Sequence, residues 1–225
     1  MGRSKRALTV QSRRPKNIAG SFGDRTDMKI SKKEGEIMGE REDRRIALEI
    51  ARQCAPVLAG VKPSNLLIIE KTDLRSVIRA LEGTGVSEKL LWRKEEKSVW
   101  LIYRKEQLEA LLVQSEIAAF FKAYGYTQLT CVDEVLGRLK KRYVSYLDKR
   151  TDFPHEIGLL LGYPMADVKG YILHKGRNSL LNGYWKVYGD AEEARKIFDI
   201  YTQVKQFIVS EIRGGKDFRQ ILGAC

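Results

Sequence analysis

The chain is poor in the residues that form disulfide frameworks and metal sites. Its 225 residues include three cysteines and two histidines. Cys54, Cys131 and Cys225 are too few and too widely spaced for a disulfide-stabilised fold. No apolar run approaches the roughly 18 residues of a membrane helix, and the basic N-terminus lacks the apolar stretch of a secretory signal. We therefore expect a cytoplasmic protein with no membrane segment.

The spaced motifs of the common enzyme classes are also absent. The sequence contains no GxGxxG, GxxxxGK[ST], HExxH, CxxC or GxSxG pattern. These absences argue against the usual dinucleotide-binding, P-loop, zinc-protease and serine-hydrolase classes. A metal site would need ligands beyond Cys54, His155 and Glu156, so the sequence assigns no metal and no cofactor.

Positive charge is abundant and unevenly placed. The net charge is +12, and residues 1–37 hold ten Lys or Arg against four Asp or Glu, which is half of that excess. Apolar periodicity is missing there, which predicts a basic, disordered leader over residues 1–37. The codons allowed for residues 33–37 include a purine-rich ribosome-binding sequence just before Met38. We therefore expect translation to start at Met38 and residues 38–225 to form one globular domain.

Hydrophobic periodicity in that domain predicts a helix-dominated α+β fold with a small sheet of about three short strands. The first helix is expected to end before Pro56, because proline disfavours helical geometry in the residue that precedes it. Helices are predicted at residues 41–53, 72–81, 105–123, 130–147, 153–162, 163–176 and 190–213. Strands are predicted at residues 66–69, 98–104 and 183–189.

Four stretches together resemble a known bacterial family. They are CAPVLAGVKPSNL at 54–66, VWLIYR at 99–104, FPHEIGLLLGYPMADVKGYI at 153–172 and GYWKVYGDAEEARKIFDIY at 183–201. They are similar to the DUF3793 family, which has no assigned activity, and the resemblance covers residues 47–214. Its most specific marks are PHE at 154–156 and LGYP at 161–164. The resemblance implies a bacterial cytoplasmic protein connected with redox or iron metabolism, but no mechanism.

Cys54, His155 and Glu156 are the candidate catalytic residues. A cysteine with a distant histidine can form a nucleophile–base pair that a third polar group orients. His155 lies at the start of a predicted helix, where the dipole favours the neutral imidazole that a base requires. The alternatives are a buried structural cysteine and a histidine that caps its helix.

Aromatic residues and cations interleave in the last third of the domain and suggest a pocket for a planar or anionic ligand. The alternative is a strand whose residues alternate between core and solvent. A pocket would lie between the PHE and LGYP helices and the GYWKVYG strand. The candidate ligand-binding residues are Arg104, Tyr163, Lys169, Tyr184, Trp185 and Lys186.

Three functions therefore stay open at the level of sequence. The first is a small-ligand-binding protein, with a Cys/His-dependent enzyme as a variant. The second is a non-catalytic accessory module for an acidic redox or iron-metabolism partner such as flavodoxin, favoured by the basic charge. The third is a nucleic-acid binder, less favoured because half of the positive charge lies in the leader. The oligomeric state is not predicted.

Overall fold

The computed structural model describes residues 24–70 and 74–223, with side chains from residue 39 onward. The chain divides into a first unit that ends at Glu40 and a second that begins at Arg41. The site described below belongs to the second unit. Residues 1–23 of the predicted leader, the predicted helix cap at residues 72–73, and Cys225 lie outside the described residues. Residues 24–37 of the leader, predicted to be disordered, are helical. The start at Met38 stays a prediction.

The described residues form nine helices and five strands. The helices are α1 (Asp24–Leu58), α2 (Leu74–Leu81), α3 (Lys105–Leu112), α4 (Ser115–Ala123), α5 (Val132–Leu147), α6 (Ile157–Leu160), α7 (Met165–Leu173), α8 (Ala191–Arg213) and α9 (Phe218–Leu222). The strands are β1 (Ser64–Glu70), β2 (Ser87–Lys94), β3 (Lys97–Tyr103), β4 (Leu181–Asn182) and β5 (Lys186–Val187). No helix among them combines the length and apolar composition needed to cross a membrane.

Strand β3 is the centre of the fold. It pairs antiparallel with β1 on one edge and with β2 on the other. Every β3 residue after Lys97 is buried, because helices cover both faces of the sheet. Val99 and Leu101 point to the face covered by α3 to α7, whereas Trp100 and Ile102 point to the face covered by α1, α2 and α9.

A separate small hairpin, β4–β5, packs on the first half of α8. Trp185 and Val187 of this hairpin form a third cluster with Ala194 and Tyr201 of α8. The Asp190 carboxylate accepts hydrogen bonds from the backbone N–H groups of residues 192 and 193, which caps α8 as the sequence predicts. Strand β5 also packs against α7.

The helix-dominated α+β fold with a three-stranded sheet is confirmed. The predictions of β1 and β3 are also correct in position, but β2 was not predicted. Its sequence, SEKLLWRK, is rich in charge, and only Leu91 is fully buried along it. Pairing with β3 defines this strand, and Glu95 makes the tight turn between them with φ of 51°.

Four other predicted elements are wrong in extent. The helix expected at 153–162 is confined to Ile157–Leu160, so His155 and Glu156 lie in the turn before it. Helix α1 continues past Pro56 to Leu58, because the core packs its last turn and the Arg104 guanidinium donates to its final carbonyls. The single helix expected at 105–123 is two, α3 and α4, because Gln114 has an extended backbone. The strand expected at 183–189 is a hairpin.

Candidate functional site

A cavity of about 310 Å³ lies between helices α6 and α7 and strand β5. This is the place where the sequence predicts a pocket. The walls are largely apolar, and His155, Asp167 and Lys186 add polar groups. The main apolar wall residues are Phe153, Leu161, Tyr163, Val168, Tyr171 and Trp185.

Two glycines allow the LGYP region to form this wall. Gly158 lies where a Cβ atom would be 3.0 Å from Val168, so glycine permits the close approach of α6 and α7. Gly162 has φ of +75°, and a Cβ there would lie 2.8 Å from Pro63 Cδ. The resulting sharp turn brings the next residue, Tyr163, onto the cavity wall.

Asp167, which sequence reasoning missed, holds the hairpin against α7. Its buried Oδ2 accepts a hydrogen bond from Trp185 Nε1 at 2.6 Å. Its Oδ1 accepts from the backbone N–H groups of Tyr188 at 2.7 Å and Gly189 at 2.8 Å. The Trp185 ring stacks on Tyr163 with centroids 5.1 Å apart. Trp185 is therefore fixed by a hydrogen bond as well as by packing.

Lys186 and His155 are two polar side chains of the cavity that retain hydrogen-bonding capacity. Lys186 Nζ donates to the carbonyl of Gly176 at 2.7 Å, which leaves two of its three N–H groups. His155 lies between the rings of Phe153 and Tyr171, 5.5 and 5.7 Å away. Burial lowers the His155 pKa below its ordinary 6.5, although the charges of nearby carboxylates act to raise it. The imidazole is therefore neutral at pH 7.

A second cavity, of about 820 Å³, adjoins the first. It shares Phe153, His155 and Tyr171 with the smaller cavity and adds Arg142 and Lys175 to the lining. His155 therefore lies at the junction of an apolar chamber and a more polar one. No three His, Cys, Asp or Glu side chains converge anywhere in the described part of the chain, so we assign no ligand set for a metal.

Glu156 does not line the smaller cavity but anchors the PHE segment next to it. Its carboxylate is fully buried, accepts a hydrogen bond from Tyr126 Oη at 3.0 Å, and forms an ion pair with Arg142 of α5. The Arg142 guanidinium also lies over the Tyr124 ring, 5.1 Å from its centroid. These contacts attach the PHE segment to α5.

Cys54 belongs to a different part of the molecule. It is fully buried in the cluster between α1 and the Trp100 face of the sheet, whereas residues that neighbour His155 pack on the other face. Burial raises the pKa of the Cys54 thiol to about 12, although Lys62 and Asn65 act in the opposite direction. The Cys54–His155–Glu156 constellation stays a prediction, and this geometry offers it no support.

We expect Cys54 to react much more slowly with iodoacetamide at pH 7.5 than Cys131, because only a thiolate reacts and burial disfavours it. Cys131 is exposed in the same chain and is the internal control. The measurement is peptide mass spectrometry on a Cys225→Ser variant under native conditions. Alkylation of Cys54 at the rate of Cys131 would restore the case for an activated cysteine.

Lys62 is an unusual residue that sequence reasoning also missed. It is 2% exposed, and its ammonium donates to Asn65 Oδ1 and lies 5.4 and 5.7 Å from the ring centroids of Tyr163 and Tyr201. Burial lowers its pKa from 10.5 to about 8, with the Cys54 thiol opposing the shift. Lys62 thus connects the loop after α1 to the back of the cavity wall.

We expect the free energy of unfolding of wild type to rise relative to that of Lys62→Met between pH 7 and pH 10.5. Below pH 8 the folded protein bears the full cost of a buried ammonium, and that cost disappears as the pH rises through the unfolded-state pKa of 10.5. The expected change is on the order of 3 kcal/mol in the difference between the two unfolding free energies. Urea unfolding of both proteins at each pH measures it; a pH-independent difference would show that Lys62 titrates normally.

The other predicted ligand-binding residues do not line the cavity. The Arg104 guanidinium donates to the carbonyls of Val57 and Leu58 at the end of α1. Lys169 forms an exposed ion pair with Glu116 at 2.8 Å. Tyr184 packs on α8, 5.3 Å from the Tyr201 ring. Of the six candidates, the structure brings together Tyr163, Trp185 and Lys186.

Comparison with known families agrees with the resemblance seen in the PHE and LGYP motifs. The chain belongs to the family described as "Protein of unknown function (DUF3793)", which matches residues 50–222. No curated protein and no solved structure matches the chain. The match covers all the residues that build the cavity. The structure gives the two motifs a physical role: Glu156 anchors the segment, and Gly162 and Tyr163 shape the wall.

Proposed function

We propose that this protein binds a small molecule in the cavity between α6, α7 and β5. The observation that carries the proposal is an aromatic-walled cavity with hydrogen-bonding capacity left over at His155 and Lys186. Small-molecule sites are typically concave, about 300 to 1,000 Å³, mostly apolar and provided with a few polar groups that orient the ligand. The cavity meets each of these conditions.

The proposal is a binding role, with no reaction assigned. A neutral His155 could accept a proton, but no Cys or Ser side chain is among the residues that line either cavity. Docking of an acidic partner such as flavodoxin, nucleic-acid binding and a cytoplasmic location stay predictions. Two cations of α5 make contacts within the protein: Arg138 lies over the Tyr126 ring, and Arg142 is paired with Glu156.

The indole N–H signals of the three tryptophans test the proposal by NMR. The probe is 2-naphthalenemethanol, a neutral bicyclic alcohol. We expect saturable movement of the Trp185 signal, because Trp185 lines the cavity. The Trp100 signal should stay in place, because that side chain is buried on the opposite face of the sheet from the α6–α7 cluster.

Two results would count against binding in the cavity. One is the absence of any saturable shift at millimolar probe. The other is an equal shift of Trp185 and Trp100, which would indicate non-specific association with the whole domain.

A further inference from the structure

The size of the cavity limits the ligand to a compact molecule. A cavity of about 150 Å³ lined by apolar side chains binds benzene. The cavity here, at about 310 Å³, has roughly twice that room. It therefore has room for two fused rings with one small substituent.

The shape of the walls favours a flat ligand. Trp185 and Tyr163 stack on each other in the cavity wall, and both are held in position: Trp185 by Asp167, and Tyr163 by a 3.4 Å hydrogen bond to the Tyr184 carbonyl. Phe153 and Tyr171 add two more aromatic side chains. Fixed aromatic faces favour a planar aromatic guest, because offset-stacked and edge-to-face contacts add to its burial.

Lys186 gives the cavity a binding point for an anion. Asp167 keeps its negative charge, but both of its oxygens are already engaged by three donors from residues 185–189. Lys186 has no ion-pair partner in the described part of the chain, and His155 is neutral at pH 7. A carboxylate that reached Lys186 would gain a charge-assisted hydrogen bond, which is about twice as strong as one between neutral groups.

We propose that the ligand is a planar aromatic carboxylate of about two fused rings, with its rings between Trp185 and Phe153 and its carboxylate on Lys186. This inference rests on the proposed binding function and narrows its ligand to one chemical class. Lys186 then determines specificity, since it selects the anionic ligand over neutral molecules of the same shape.

Calorimetry with three probes of one ring system tests this selectivity. The probes are 2-naphthoate, 2-naphthalenemethanol and 2-naphthylmethylamine at pH 7. We expect wild type to bind the carboxylate about tenfold more tightly than the alcohol, and the amine most weakly. Lys186→Met should remove the preference for the carboxylate and keep the affinity for the alcohol.

Two further variants separate charge from structure. Lys186→Gln removes the charge but keeps a donor for the Gly176 carbonyl. It should therefore lose the preference for the carboxylate even where Lys186→Met also disturbs the hairpin. Lys169→Met removes a cation from α7 that is paired with Glu116 outside the cavity, and it should keep the preference.

The outcomes distinguish the ligand class from the binding function itself. If the alcohol binds as tightly as the carboxylate, the assignment of the ligand as an aromatic carboxylate is wrong, but the proposal that the cavity binds a small molecule is retained. If Lys186→Gln retains the full preference, the assignment of Lys186 is wrong. If none of the three probes binds, both this inference and the proposed function are overturned.

Discussion

Glu156→Ala is expected to lower the free energy of unfolding by about 2 to 3 kcal/mol. Glu156 is fully buried, and its removal leaves the Arg142 guanidinium and the Tyr126 hydroxyl without their shared partner. The Tyr126 hydroxyl becomes a buried donor without an acceptor, whereas Arg142 is a quarter exposed and regains water. Urea unfolding followed by circular dichroism measures the change.

The matched control is Glu116→Ala, which breaks an ion pair of similar type on the surface. Glu116 and Lys169 are both more than half exposed, so the expected cost is below about 1 kcal/mol. Glu156→Gln should fall between the two, because the amide oxygen can still accept from Tyr126. Equal costs for Glu156→Ala and Glu116→Ala would mean that the PHE segment is not anchored through Glu156.

Asp167→Ala is expected to cost at least about 3 kcal/mol and to abolish binding in the cavity. The substitution leaves three donors near the hairpin without an acceptor, namely Trp185 Nε1 and the backbone N–H groups of Tyr188 and Gly189. The Trp185 donor is buried and the two backbone donors are half-buried, and a buried donor without a partner costs about 1 to 3 kcal/mol. The Trp185 ring also loses the bond that fixes it on the cavity wall.

Asp190→Ala is the control for Asp167→Ala. Its carboxylate also accepts from two backbone N–H groups, but at an exposed helix cap, where the loss costs about 1 kcal/mol. Urea unfolding gives the two costs, and the Trp185 indole NMR signal reports the local change. An Asp167→Ala protein as stable as Asp190→Ala, with an unmoved Trp185 signal, would refute the role given to Asp167.

Short-range patterns in the sequence were sufficient to predict part of the fold and of this site. Strand β3 is aromatic and β-branched, and the cap at Asp190 is a short-range signal, so both could be predicted from neighbouring residues. Tyr163, Trp185 and Lys186 could be grouped because aromatic and cationic residues recur within a short stretch. The alternation of Trp185 and Val187 into the core follows from the two-residue period of a strand.

Other residues could not be recognised, because their roles depend on distant partners. Asp167 resembles an ordinary acidic residue in the first turn of a helix, and only the hairpin 18 to 22 residues later gives it three donors. Lys62 looks like a loop lysine, although two tyrosine rings from α8 and the LGYP turn enclose it. Cys54 and His155 share no element, so sequence could not place them on opposite sides of the sheet.

The most direct test of the binding cavity is calorimetry with 2-naphthalenemethanol on wild type and Val168→Phe. Val168 lines the cavity and is 6% exposed, so a larger ring there fills the space that a ligand would occupy. The control is Val113→Phe, at an exposed position after α3. We expect wild type and Val113→Phe to bind alike. Val168→Phe should bind at least about tenfold more weakly, and the larger ring should lower its unfolding free energy by about 1 to 3 kcal/mol. Unchanged affinity in Val168→Phe would contradict the proposal that this cavity is the binding site.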